Sequence, residues 1–398
     1  MRRIHDRSMF TPLAVVTLLA LALARTAAAN PPLRRDLGSY FALAMRTMSA
    51  KNLRVLSACN VGVDCGTPNA SSTCGTASFE NPFFADGSQL AVDRPNFSKP
   101  GGDLFQLFAN QGGPFANVNV RLPPIETFAT PIIPGTCDTN CNPNFAAVEQ
   151  LCGFPNPFPA CDPSKNVVAQ PNADCVGAPD AVPGNGRCDL GPGTYGSVEV
   201  RNLANMEFTG GNYNLCSFAA GKRTIVSAAT PAVLNVASGG SFQVSDTSKL
   251  GAQCGDFTVF ILGVGNVTFG RNGSVTASIC APQSDFNLGD NNHLLGQFIG
   301  DTMSADRGNE GRCCEGCSCF DDFTPTSARV GDTITFDSKC DLKLVTSIKI
   351  CGVAATILNQ TTNVLTAKVP AGAVGACTVE ADSAVGVFQA FGTLTVTP

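Results

Sequence analysis

The chain has 398 residues, 44% apolar and only 14% charged, with 40 Gly and 26 Pro, a composition that suits an all-β chain with many turns and about two domains. A net charge of −5 excludes a basic nucleic-acid-binding face, and two His exclude multi-histidine zinc sites and haem attachment through C-x-x-C-H. The absence of Trp, with only three Tyr, removes the ring faces that sugar-binding surfaces usually offer.

The first element is an export signal. Arg2, Arg3 and Arg7 form a basic start, an apolar run follows from Leu13 to Leu23, and Ala27 and Ala29 supply a small-residue cleavage site. Residues 1–29 are therefore expected to be removed. That takes four Arg and one Asp with them and leaves 22 basic against 30 acidic residues. No later stretch reaches the roughly 18 unbroken apolar residues of a transmembrane helix. The expectation is a secreted chain, extracellular or held at the cell surface by a partner. All 19 Cys lie beyond the signal, and in an oxidising compartment they default to disulfides. The odd number leaves one thiol unpaired or bonded between chains.

From Asn30 to Arg312 the text reads as a right-handed parallel β-helix with one long interruption. The strongest sign is a repeat at an offset of 19 between "VTFGRNGSVTASICA" (Val267 to Ala281) and "FNLGDNNHLLGQFIG" (Phe286 to Gly300). Val267 meets Phe286, Phe269 meets Leu288, Gly270 meets Gly289 and Asn272 meets Asn291. Further along, Val275 meets Leu294, Ala277 meets Gly296 and Ile279 meets Phe298. Each unit is two short strands around a Gly/Asn corner, and one unit alone cannot cover its own apolar side chains. Asn and Gly suit such corners because they accept the left-handed backbone. Weaker copies are Val233 to Val244, Ser197 to Phe208 and Phe41 to Ala58. Stacked units would form inward apolar ladders. An antiparallel sandwich is the competing arrangement.

Roughly Cys59 to Gly193 reads as an irregular Cys- and Pro-rich insertion. A loop of that length needs its own restraints, and local disulfides among Cys137, Cys141, Cys152, Cys161, Cys175 and Cys188 would supply them.

"CCEGCSC" places Cys313, Cys314, Cys317 and Cys319 in a junction, residues 313–322. Its spacing is not the paired C-x-x-C of a zinc ribbon. Extended neighbours point to opposite sides, so Cys313 and Cys314 are expected to tie the end of the coil to the following domain.

Residues 323–398 repeat strand-like runs every 8 to 12 residues or so, the pattern of a β-sandwich. Candidate strands are Thr333 to Phe336, Ser347 to Ile350, Val364 to Val369, Thr378 to Ala381 and Gly392 to Val396. "FTPTSARVGDTITF", "VTSIKICGVAA", "LTAKVPAGAVG" and "GTLTVTP" closely resemble the IPT/TIG immunoglobulin-like domain. The resemblance implies an Ig-like sandwich used as a spacer or interaction module, without catalytic residues. In that fold the end of strand C lies beside the start of strand F, which makes Cys351 and Cys377 partners. It also brings Cys340 towards Cys317 or Cys319. The upstream half is similar to coil-forming regions of exported bacterial surface proteins.

Candidate chemistry is sparse. His293, the one His of the mature chain, sits in a turn beside Asp290 without a visible nucleophile. Asp285, Asp290, Asp301, Asp306, Glu310, Asp321 and Asp322 gather towards the end of the coil, where converging oxygens could hold Ca²⁺. No D-x-D-x-D-G loop is present, and these acids read as solvated corners and linker. Asn266 and Asn272 are formal glycosylation sequons that also suit turns. No catalytic, cofactor or metal residue is therefore assigned.

The reading is an exported, non-enzymatic surface or matrix protein with an adhesion, assembly or scaffold role. Its partner would be another surface protein or a polysaccharide, with an intermolecular disulfide among the options. The rival is a polysaccharide lyase or hydrolase using carboxylates of adjacent coils. Flat Thr or Asn arrays for ice or crystalline polymer are not supported by the repeats, which carry too few aligned Thr-x-Thr motifs.

Overall fold

The computed structural model describes residues 33, 37–57, 59–65, 75–110, 115–128, 131–137, 142–172, 174–177, 181–183, 186–314, 322–337, 345–361, 364–383, 386–389 and 394–397. The protein is nearly all β. A 28-stranded, mostly parallel sheet spans residues 40–312, and a 7-stranded and a 3-stranded sheet follow it.

The large sheet is a stack of chain turns, each contributing to three parallel ladders. The first ladder runs Val198↔Phe218↔Phe242↔Val267↔Phe286↔Met303↔Met48↔Ala77↔Pro95. The second passes through Met206, Val226, Leu250, Val275, Leu294, Gly311, Val55 and Phe84. The third passes through Leu234, Val259, Ile279, Phe298, Ala42, Val61 and Leu90. Residues alternate inward and outward along each strand. The inward side chains form one continuous core, with Phe218 stacked on Phe242 at 4.9 Å and Phe79 on Phe97 at 6.0 Å.

The predicted offset of 19 is the register of this sheet, since Val267 pairs with Phe286, Val275 with Leu294 and Ile279 with Phe298. The corner chemistry is also present. Asn272 and Asn291 adopt φ of 55° and 57°, and Asn291 donates from Nδ2 to Asn272 Oδ1 at 3.3 Å. Leu203, Arg223 and Thr247 take the same left-handed corner in the preceding turns, although nothing in their side chains favours it.

The order of the turns departs from chain order. Residues 167–312 stack towards the strand Tyr40–Lys51, which pairs with His293–Ala305 on one side and with Asn60–Val63 and Thr76–Glu80 on the other. The first described strand therefore lies in the middle of the sheet, and from it the chain builds one half to residue 126, returns along the stack, and builds the other half back to that strand. Residues 60–120, expected to be irregular, instead supply further rungs of all three ladders. Their changing spacing and the inward Pro95 conceal the repeat.

The returning segment covers the outer side of the third ladder. Phe128, Ile132, Ile133 and Val148 share a core with Tyr40, Leu43, Phe108, Phe260 and Ile299. Within it, the helix Phe145–Cys152 starts at Asn144, whose side chain accepts from the Ala147 N–H. It ends at Gly153, φ 82°, in the left-handed conformation that suits glycine. Disulfides Cys65–Cys137, Cys152–Cys280 and Cys161–Cys216 fasten the segment to turns of both halves. Cys137, Cys152 and Cys161 therefore do not pair locally as expected, whereas Cys175–Cys188 does, and Cys141 lies outside the described residues.

The expected role of Cys313 and Cys314 requires correction. Cys313 bonds Cys59 and Cys314 bonds Cys254, so both staple the parallel stack to itself. The chain reaches the seam between the two halves at this point, and the two neighbouring cysteines bond two different turns of the same sheet. Cys317, Cys319 and Cys340 lie outside the described residues, as does residue 321.

Beyond residue 322 the pairing becomes antiparallel. The 7-stranded sheet contains Thr333–Asp337, Val345–Ile350, Val364–Lys368 and Val379–Ser383, close to the expected spans, together with the unforeseen Val353–Gln360. Leu394–Thr397 pairs parallel to Ser327–Arg329 and antiparallel to Gly375–Cys377. Ile334, Phe336, Ile348, Leu365 and Leu394 form a second core. Cys351 and Cys377 are bonded beside it, with Cα atoms 4.6 Å apart.

Candidate functional site: an uncharged polar grid

The outward side of the first ladder is open to solvent. One row of outward residues runs Glu199↔Ala219↔Gln243↔Thr268↔Asn287↔Ser304↔Ser49↔Ser78↔Asn96. A parallel row runs Ser241↔Asn266↔Asp285↔Thr302↔Thr47↔Thr76↔Arg94. These residues are exposed or half-buried, and the alternating positions between them are buried. At about 4.8 Å per strand, eight steps give the first row a length of about 38 Å. Neighbours along one strand are separated by about 6.7 Å.

The middle of the grid crosses the seam between the two halves. "TMSA" occurs at Thr47 to Ala50 and at Thr302 to Ala305, and the register sets these tetrapeptides directly side by side. Thr76 and Ser78 extend the columns by one more turn. Ser49 Oγ lies 3.4 Å from Ser304 Oγ, and Thr302 donates to Asp285, the one charge inside the second row. Charge returns at the margins. Glu199 and Arg94 stand at the ends, and Lys51, Glu80 and Lys99 follow one edge, where Lys99 pairs with Glu80.

The columns align Thr-x-Ser, at Thr47–Ser49, Thr302–Ser304 and Thr76–Ser78, and they join segments 255 residues apart. The repeated "TMSA" was the available signal, and its meaning depends on the chain order of the stack.

The second ladder has a different outer row. Ser274, His293, Glu310, Arg54, Phe83 and Asp103 are successive partners. Glu310 accepts from Arg54 at 3.0 Å, and its other oxygen lies 3.3 Å from His293 Nδ1. The carboxylate thus lies between the Arg54 guanidinium and the His293 ring.

The remaining acids fall where corners and the seam require them. Asp290 lies 3.5 Å from Arg271 Nε and accepts from the Arg307 N–H. Asp306 donates its backbone N–H to Leu288 O at 2.8 Å, in a corner between turns. Asp322 begins the first strand of the 7-stranded sheet, opposite Asp337. Asp301, nearly buried, accepts from Arg46 Nε at 2.6 Å across the seam, and this bond holds the Arg46 guanidinium above its ordinary range. Among the described residues no group of three or more His, Cys, Asp or Glu gathers as a metal ion would require.

The least ordinary carboxyl is Asp64, beneath the returning segment. It is fully buried, accepts from the Ile133 N–H at 2.9 Å and from the Thr136 hydroxyl, and burial raises its pKa to about 6. Asp93 is also buried and raised by desolvation, with Asn110 donating to it at 3.1 Å. Both acids join neighbouring chain segments.

No known family matches the sequence, and no curated protein matches it. One solved structure, named "Putative phosphatase" from Bacteroides thetaiotaomicron VPI-5482, is 21% identical over 20% of this chain and 18% of that chain, with a TM-score of 0.17. So low a score carries no argument about fold or activity. Among the described residues no helix is long and apolar enough to cross a membrane.

Proposed function

We propose that this is an exported, non-enzymatic protein of the cell surface or extracellular matrix, whose work is adhesion or scaffolding. In this reading the three ladders close into a parallel β-helix, and residues 323–398 form an IPT/TIG-like spacer or docking module. The observation that carries it is the polar grid on the first ladder, whose rows between Glu199 and Arg94 are Ser, Thr, Asn, Gln and Ala apart from Asp285. Cross-linking at Cys59–Cys313, Cys254–Cys314 and the three staples of the returning segment suits an oxidising compartment. Asp285, Asp290, Asp301 and Glu310 engage hydroxyl, Arg or His partners, as structural acids do.

Fractionation of cells producing the full chain tests the proposal, with and without reductant. The expected result is cysteine-oxidised protein, lacking residues 1–29, outside the cytoplasm. Reduced, unprocessed protein confined to the cytoplasm would sink it.

A further inference from the structure

We infer that the open ladder is an ice-binding face, which deepens the scaffold reading by naming the surface it meets. The first argument is charge complementarity. Between Glu199 and Arg94 the rows present Ser, Thr, Asn, Gln and Ala, with Asp285 as their single charge. Apart from Asp285, which accepts from Thr302, the charged groups of this ladder lie at the ends of the rows and along the Lys51–Glu80–Lys99 edge. An uncharged partner suits such an area.

The second argument is hydrogen-bond capacity. Hydroxyls and carboxamides each donate and accept, so their complement is a surface that does both at every site. A protein partner would normally meet Tyr, Trp, Met or Arg anchors, and the central columns have none. A sugar polymer would normally meet a ring to stack on, and all the Phe of this ladder point inward.

The third argument is periodicity. Each rung is hydrogen-bonded to the next, and its inward side chains are locked in the core, so the outer groups occupy a fixed grid of about 4.8 by 6.7 Å. A single molecule engages one or two cells of such a grid, whereas a crystal face engages all of them at once. Frozen water is a lattice that is uncharged, donates and accepts throughout, and offers no ring. Thr47, Thr302 and Thr76 add methyl groups beside their hydroxyls, which limits the positions open to water in the column between them. The column continues where the chain itself is discontinuous.

The test uses the purified, oxidised full chain with a fluorescent label and a slowly grown ice front. Wild-type protein is expected to be captured in the ice and to shape the crystals. Thr47→Lys and, separately, Asn287→Lys are each expected to reduce capture about tenfold, equivalent to 1.4 kcal/mol. Lys249→Ala, on the second ladder, should leave capture unchanged. Far-ultraviolet circular dichroism and the thermal midpoint identify any variant that has lost its fold, and the two grid positions are independent. Exclusion of the wild-type protein from ice would overturn the inference, as would capture that survives both grid substitutions. Binding to crystalline cellulose or chitin in place of ice, lost in the same variants, would also overturn it while leaving the scaffold reading standing. Cytoplasmic retention would defeat the scaffold reading whatever the ice assay shows.

Discussion

The two halves of the parallel stack share a core, a left-handed corner and three ladders, but residues 167–312 declare this in their sequence and residues 59–126 do not. In the later half, the corners at Leu203, Arg223, Thr247, Asn272 and Asn291 stand 19 to 25 residues apart. In the earlier half, Asn52 and Asn81 make the same side-chain contact as Asn272 and Asn291, but across 29 residues. The core does not register that difference: Phe79 and Phe97 stack on the inside as Phe218 and Phe242 do. Stacking depends on which residues reach the ladder, while extra length leaves through the corners. A repeat is therefore read easily only when its loops are uniform.

If the halves are one structure, damage to either should be felt by both. Phe84→Ala in the early half and Phe208→Ala in the late half each remove a fully buried ring, and each is expected to cost about 3–5 kcal/mol. Denaturant unfolding followed by circular dichroism should show a single transition shifted by similar amounts. Two separable transitions would break the comparison.

The covalent link between the halves should matter nearly as much. Cys59–Cys313 closes a loop with a sequence separation of 254. Replacing both residues with Ser is expected to cost about 2–5 kcal/mol by releasing the unfolded chain. Guanidinium midpoints in non-reducing buffer would measure it, and an unchanged midpoint would mean that the seam holds without its staple.

A smaller effect should sharpen the comparison, because it resides in the early half alone. Asp64 is raised in the folded state to about 6, chiefly by burial. Its unfolded pKa is about 3.9. Between these values the folded chain holds a proton that the unfolded chain has released, so this group's contribution to stability falls as pH rises. The difference amounts to about 3 kcal/mol between pH 4 and pH 7, at 1.36 kcal/mol per unit. Asp64→Asn should flatten that part of the pH profile, as measured by urea midpoints at pH 4.5 and 7. A profile identical to wild type would remove Asp64 as its source.

Much of the fold was legible from local chemistry. The pairing of Val267 with Phe286 follows from equal spacing, and the strands around Thr333, Ser347 and Val364 follow from alternation between turns. The bonded Cys351 and Cys377 were approached through the family resemblance. What stayed hidden was long-range. Only the shared "TMSA" hints that Thr302 lies beside Thr47, and nothing near Cys59 signals Cys313. Both contacts depend on the chain returning to its early strands, so the grid that is now the candidate site could not be assembled from its separate pieces. Leu203 and Arg223 at left-handed corners were equally unreadable, because the stack, not their side chains, dictates their backbone.

The position of the first described strand in the middle of the sheet also governs the order in which the molecule can be completed. A chain synthesised or exported from its N-terminus presents Tyr40–Lys51 first, and one edge of that strand finds its partner only when His293–Ala305 arrives. Until then the early half carries an open parallel edge, the kind of surface that recruits other strands. A truncation before residue 293 would leave that edge exposed permanently. A circular permutant joining residue 312 to residue 40, with new ends in the returning segment, would emerge in ladder order and close each rung as it appeared.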